Sequence, residues 1–257
     1  MQVKQAANVL ELLEFFARRQ KPATLAELSD ELGWPRSSTF NLIGTLADKG
    51  YLYEPRARGG YYPSPRWLTM AQTVASAEPL PEAALQLVAE VARETGETTA
   101  IGAPAGTHAI FIYVIESEAP IRYFAKEGHR LPIQASSTGR AILAQYSVAE
   151  RDALYRKITF ERYSPTTPVN IDAVEAELRR SAARGYHYSD GDYSRDLVGI
   201  ACPLPLPERR LSIVVAGPQF RCLPRAEDLA TTLKSAIERF RGEIGLTLQD
   251  ESQPRQV

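Results

Sequence analysis

The stretch LAELSDELGWPRSSTFNLIGTLADKGYLY, from Leu25 to Tyr53, narrows the possible fold more than any other part of this chain. Leu25, Leu28 and Leu32 share one helical face, and Gly33 stops the pattern. Thr24 with Glu27 three residues on predicts a capping box at its start. Pro35 then restarts a helix at once, suited to the first helical position because its missing N–H is not needed there. Phe40, Ile43, Leu46 and Ala47, with Leu42 beside them, form the predicted buried stripe of this second helix. Ser37, Ser38, Asn41, Gly44, Thr45 and Asp48 fall on the opposite face. Two striped helices joined by so short a break predict a helix-turn-helix.

The flanking sequence extends that motif. Before it, Ala6, Val9, Leu10, Leu13, Phe16 and Ala17 recur at helical spacing, so another amphipathic helix is expected there, with Leu12 and Phe15 off its stripe. After it, Tyr51–Tyr53 and Gly60–Tyr62 are expected to pair across Arg56-Ala57-Arg58-Gly59, with Gly59 and Gly60 supplying positive φ. This makes a wing whose tip projects two arginines.

The small, mostly neutral face of the Pro35 helix suits entry into a major groove, where side chains must approach closely and bond phosphates and base edges. Arg36, Ser37, Ser38, Thr39, Asn41 and Thr45 are the candidate groove contacts, and Arg56 and Arg58 the candidate phosphate contacts of the wing. Between Pro35 and Arg66 five basic residues face two acidic ones, a local excess of +3. The 257-residue chain as a whole is near neutral at −1, so attraction to a polyanion must come from such a patch.

After Tyr62 the segment PSPRW predicts a further helix to about Ala77, and Pro79 and Pro81 in EPLP mark a boundary beyond which the pattern changes. A helix over 82–94 precedes strands in TTAIGAPA and AIFIYVIES, with PIRYFAKEG as a third. Helices follow in STGRAILAQ, VAERDALYRKI and NIDAVEAELRRSAARG, then strands in LVGIACPLPL and RLSIVVAG, and a helix from about Ala226 to Ile244. This order predicts an α+β chain. The expected division is 1–65, a linker helix 66–80, a sheet domain 81–248 and a polar tail 249–257.

These features together resemble the IclR family of bacterial transcriptional regulators. The resemblance is carried by the helix-turn-helix and its arginine-glycine wing, by GHRLPIQASSTGRAILA (Gly128–Ala144), and by GYHYSDGDYSRDLVGIACPL. It implies an N-terminal winged helix-turn-helix joined by the linker helix to a C-terminal α/β, GAF/PAS-like domain that binds a small effector. It also implies a homodimer or homotetramer on a pseudo-palindromic double-stranded operator. By motif, the effector site would take Ala135, Ser137, Thr138 and Gly139, Asp190 or Asp192 from the acidic loop, Gly199, Ile200 and Cys202 from one strand, and Val214 and Ala216 from another. Donors at a helix start around Ser137-Thr138-Gly139 favour a carboxylate. Relatives that take very small polar acids carry Ser-x-Ser where this chain has Val214 and Ala216, so an aromatic or larger apolar acid is expected. Asp196 stands where relatives commonly have glycine.

Other chemistry finds little support. His108, His129 and His187 are dispersed, and Cys202 and Cys222 lack close spacing, so neither metal nor cofactor is expected. The residues for a hydrolase reading are Ser136 or Ser137 with His129 and Asp190, without a nucleophile-elbow sequence, so no catalytic residues are assigned. The enzyme and a ligand-independent architectural DNA-binding protein stand as alternatives. No apolar run approaches the roughly 18 residues of a membrane span, and the acidic amphipathic start is unlike a signal peptide, so a cytoplasmic location is expected.

Overall fold

The computed structural model describes residues 3–77, 80–206 and 208–251. The chain divides into two compact units, 1–79 and 80–257.

In the first unit, helices α1 (Lys4–Arg19), α2 (Leu25–Leu32) and α3 (Arg36–Asp48) enclose a core of Leu12, Phe16, Leu28, Ile43 and Leu46. The capping box forms as expected: Thr24 Oγ1 accepts from Glu27 N–H, while the Glu27 carboxylate takes the Thr24 N–H at 2.8 Å. Gly33 ends α2 at φ 66°. Pro35 caps α3 from just outside it, one position earlier than expected. The buried face of α1 also differs from the expected stripe: Leu12, Phe15 and Phe16 are buried, whereas Leu10 is exposed. The rings decide this, since Phe16 packs edge-on against both Phe15 and Tyr62 and aligns Leu12 with them. Strands β1 (Leu52–Tyr53) and β2 (Tyr62–Pro63) form an antiparallel pair. Helix α4 (Arg66–Ala77) starts against them, where Trp67 Nε1 donates to Tyr51 O at 2.9 Å.

The second unit is one antiparallel sheet between helices. Its strands are β3 (Thr98–Ala105), β4 (His108–Ile115), β5 (Arg130–Pro132), β6 (His187–Asp190), β7 (Leu197–Leu206) and β8 (Arg209–Pro218), in the order β5-β4-β3-β8-β7-β6. Helices α5 (Glu82–Thr95) and α10 (Ala226–Glu251) cover one face, where Leu87, Val91, Leu229 and Leu233 meet Ile200, Cys202, Ile213 and Val215. Helices α6 (Ser137–Leu143), α7 (Val148–Tyr155) and α8 (Ile171–Arg184) lie on the other, where Ile142, Tyr155 and Val174 join Ala100, Phe111, Ala201 and Val214. A short α9 (Gln219–Cys222) follows β8.

PIRYFAKEG is not a strand. The edge it would occupy is taken instead by its last residue and those that follow: Phe111 exchanges bonds with Gly128 and His129, and β5 continues the pairing. Conversely, HYSD in the acidic segment is a strand, β6, paired with β7. Helix α10 runs on through Glu251, so the expected polar tail begins inside it; residues 252–257 lie outside the described ones.

Candidate nucleic-acid interface and effector pocket

The turn between α2 and α3 is held by a short internal clasp. Ser29 Oγ donates to Trp34 O at 2.7 Å, and the Trp34 N–H returns a bond to Ser29 O at 3.0 Å. Arg19 of α1 adds ion pairs to Glu27 and Glu31 of α2. This fixes the direction in which α3 leaves. Arg36, Ser37, Ser38, Asn41 and Thr45 all lie exposed along it, as a groove-facing helix requires. Thr39 does not. It is 0% exposed and its hydroxyl donates to Pro35 O, so it belongs to the core and cannot touch DNA. Phe40 makes the opposite change, from expected core to 63% exposed. Ile43 and Leu46 are buried as expected, so the stripe departs from expectation only at its first turn, where Thr39 and not Phe40 faces inward.

At the wing, Arg56 and Arg58 are exposed at the tip. Gly59 N–H bonds Arg56 O at 2.8 Å, closing the turn. Positive φ falls on Arg58 (57°) and Gly60 (84°), not on Gly59. Gly60 is needed twice over, since a Cβ there would lie 2.4 Å from the Ala23 carbonyl carbon. Ala23 and Tyr61 exchange backbone bonds of 3.0 and 2.8 Å, which tie the wing to the entrance of α2.

In the second unit a small pocket, partly open to solvent, lies between the sheet and α6. Ser136 caps α6, with its Oγ accepting from Gly139 N–H at 3.1 Å. Ser137 and Thr138 carry the other first-turn amides, and both residues border the pocket. Val214 and Ala216 form part of its wall, with Phe111, Leu131 and Leu197. Tyr123, Ser189, Tyr193 and Ser194 also border it, none of them singled out by sequence. The Tyr123 hydroxyl is buried with no hydrogen-bond partner, and burial raises its pKa well above the usual phenol value.

The remaining motif residues serve elsewhere. Ile200 and Cys202 point to the α5–α10 face of β7, because side chains alternate along a strand and their neighbours Gly199 and Ala201 pair with Ala216 and Val214. Ala135 is buried without bordering the pocket. Gly139 allows close packing, since a Cβ there would meet Ile133 O at 2.2 Å. Asp190 accepts a 2.7 Å bond from Gln219 Nε2. Asp192 pairs at 2.7 Å with Arg140, which is fully buried and also donates to Gln134 O and Tyr188 O. Both acids therefore hold the loop rather than line the cavity.

Two family models together span most of the chain: the IclR helix-turn-helix domain matches residues 5–56, and the bacterial transcriptional regulator IclR C-terminal domain matches 72–239. The chain belongs to the IclR family. It is 25% identical over 249 residues to the transcriptional repressor IclR of Escherichia coli K12, covering 95% of this chain and 90% of that one. The crystal structure of the Thermotoga maritima IclR matches with a TM-score of 0.76 at 17% identity, covering 95% of this chain and all of that one. An IclR homologue from Microbacterium hydrocarbonoxydans, complexed with 4-hydroxybenzoate, matches with a TM-score of 0.74 at 20% identity, over 94% and 99% of the two chains.

As an IclR-family member the chain is a DNA-binding transcriptional regulator. Ser136 donates its hydroxyl to Pro132 O, Asp190 takes Gln219, and among the described hydrogen bonds none joins the His129 ring to either. Both cysteines are buried, with thiol pKa values pushed up to about 11 for Cys202 and about 12 for Cys222, so neither is a ready nucleophile. Among the described residues no cluster of His, Cys, Asp and Glu suits a metal ion, and no helix is long and apolar enough to cross a membrane.

Proposed function

We propose that operator binding by this regulator is governed by a small aromatic or apolar carboxylic acid held in the pocket above α6. The composition of the pocket carries this reading. Ser137 and Thr138 offer donors at a helix start at one place, Val214, Ala216, Phe111, Leu131 and Leu197 surround the space with apolar surface, and the Tyr123 hydroxyl is buried without a partner. A two- or three-carbon acid would leave that apolar wall against water and the tyrosine unpaired. A ring fills the wall, and a second polar group on it would satisfy the hydroxyl. The structural neighbour holding 4-hydroxybenzoate has the same fold and a ligand of this class.

We further infer that two copies act together on a near-palindromic site. Helix α4 has no buried residue, and Met70 and Val74, one turn apart, lie exposed on one face of it, a surface suited to a second copy.

A thermal-shift and DNA-binding series with benzoate, 4-hydroxybenzoate, acetate and pyruvate tests the effector reading. Aromatic acids are expected to raise the melting midpoint and change operator affinity, and Ala216→Leu, which fills the pocket, to abolish both responses. A response to pyruvate or acetate at lower concentration than to any aromatic acid defeats the reading.

A further inference from the structure

Among the described residues of α3, Phe40 alone is large, apolar and exposed. Its surroundings are those of a DNA-facing surface. Arg36 stands one turn before it, Ser37 and Asn41 flank it, and all three are exposed. Gly44 stands one turn after it, and a Cβ built there would meet nothing within 4 Å, so the helix is bare beside the ring. The ring is not an unpacked core residue either, for Thr39, fully buried, fills the inward position next to it. A phenylalanine has no hydrogen bond to offer a base edge. It has apolar area, and in the major groove only thymine presents a matching group, its C5-methyl.

We propose that Phe40 packs on a thymine methyl and selects that base at one step of each half-site. Asn41 and Arg36 then supply the hydrogen bonds beside it, and the missing Gly44 side chain gives the base edge room to approach. The surface is continuous with the DNA-reading face of the helix-turn-helix, which fixes double-stranded DNA as the occupant. Specificity on this helix thus has an apolar component besides the polar one.

Deoxyuridine lacks only the methyl of thymidine, so it isolates the contact. A duplex selected from a randomised pool by the full-length protein would have each thymine replaced in turn. The wild-type protein is expected to lose about fourfold in affinity per half-site at one position, the worth of one buried carbon. Phe40→Ala is expected to bind the parent duplex correspondingly more weakly and to be indifferent to that one replacement, its profile elsewhere unchanged. Phe40→Leu, apolar but smaller, should retain part of the sensitivity. Wild-type indifference to every deoxyuridine overturns the proposal, as does a Phe40→Ala profile identical to wild type. So does a Phe40→Ala protein that sediments as a smaller species with its deoxyuridine profile intact, since the ring would then serve a protein contact.

Discussion

Arg140 Nη2 donates to Asp192 Oδ2 at 2.7 Å, and this one pair fastens buried helix α6 to the loop that follows β6. The loop matters because Tyr193, Ser194 and Leu197, just beyond Asp192, border the pocket. Ser164 and Thr167 reinforce it by donating to Asp192 O, at 3.3 and 2.6 Å. With its side chain fully buried, Arg140 has no solvent to fall back on if its partner is lost. Asp192→Asn is therefore expected to destabilise the fold by about 3 kcal/mol, the typical cost of stranding a buried charge. A double variant, Arg140→Met with Asp192→Leu, should recover much of that loss in urea unfolding. Failure of the double variant to recover anything would mean that the arginine's bonds to Gln134 O and Tyr188 O, and not its charge pairing, dominate.

The wing arginines give a second expectation. Arg56 and Arg58 are exposed at the tip, where phosphate contacts would be sequence-independent and salt-sensitive. Arg56→Ala with Arg58→Ala should weaken binding to all duplexes alike and reduce the slope of log K against log salt by about 2. Arg58 occupies positive φ, so Arg58→Gly removes the charge without retaining backbone strain and separates the two effects. Wild-type affinity and slope in the double alanine variant would remove the wing from the interface.

On α3 two neighbouring polar residues should behave in opposite ways. Thr39 is buried and bonded to Pro35 O, so Thr39→Val should cost about 1 kcal/mol of stability and leave base preference unchanged. Asn41 is exposed, so Asn41→Ala should change stability by under about 0.5 kcal/mol yet relax discrimination by roughly 1–3 kcal/mol at the base it reads. A uniform affinity loss across sequences with Asn41→Ala would assign it to backbone contact instead.

What the sequence made legible follows from where patterning carries information. The capping box at Thr24 and the stop at Gly33 both formed, because a cap is a local bond between residues close in sequence. Face assignment was harder. Strand β7 is buried on both sides, so the alternation that would separate Ile200 and Cys202 from Gly199 and Ala201 is absent from the composition, and a motif marks the strand without marking its parity. On α3 apolar periodicity found Ile43 and Leu46, but the first turn inverts the usual preference, a threonine inside and a phenylalanine outside, so Phe40 was misplaced. Tyr123 lies in an irregular stretch whose course depends on pairing at β4, and nothing local signals that it borders a pocket.

His187 supplies the pH dependence. It is buried on β6, its Nδ1 has no partner, and its pKa is lowered to about 4, first by burial and then by Arg140 and Arg184, with Glu177 opposing. In the unfolded chain the ring titrates near 6.5. Between these values the unfolded state binds a proton that the folded state refuses, so stability must fall as pH drops from about 6.5 toward 4. Below the lower value both states are protonated and the histidine adds no further loss. Across the whole window the expected cost is about 3 kcal/mol, at 1.36 kcal/mol per pH unit. Glu175 and Glu177, held below the usual carboxylate range, add their own losses at lower pH, with Arg151 pairing on Glu175 and Arg184 and Arg180 outweighing burial at Glu177. His108, also lowered first by burial and then by Arg130, contributes a loss of the same sign as pH falls below 6.5. Urea midpoints at pH 7, 6, 5 and 4.5 measure the effect directly. His187→Leu should flatten most of the fall between pH 6.5 and 4.5, and an unchanged fall in that variant would show that the buried ring is not the group being titrated.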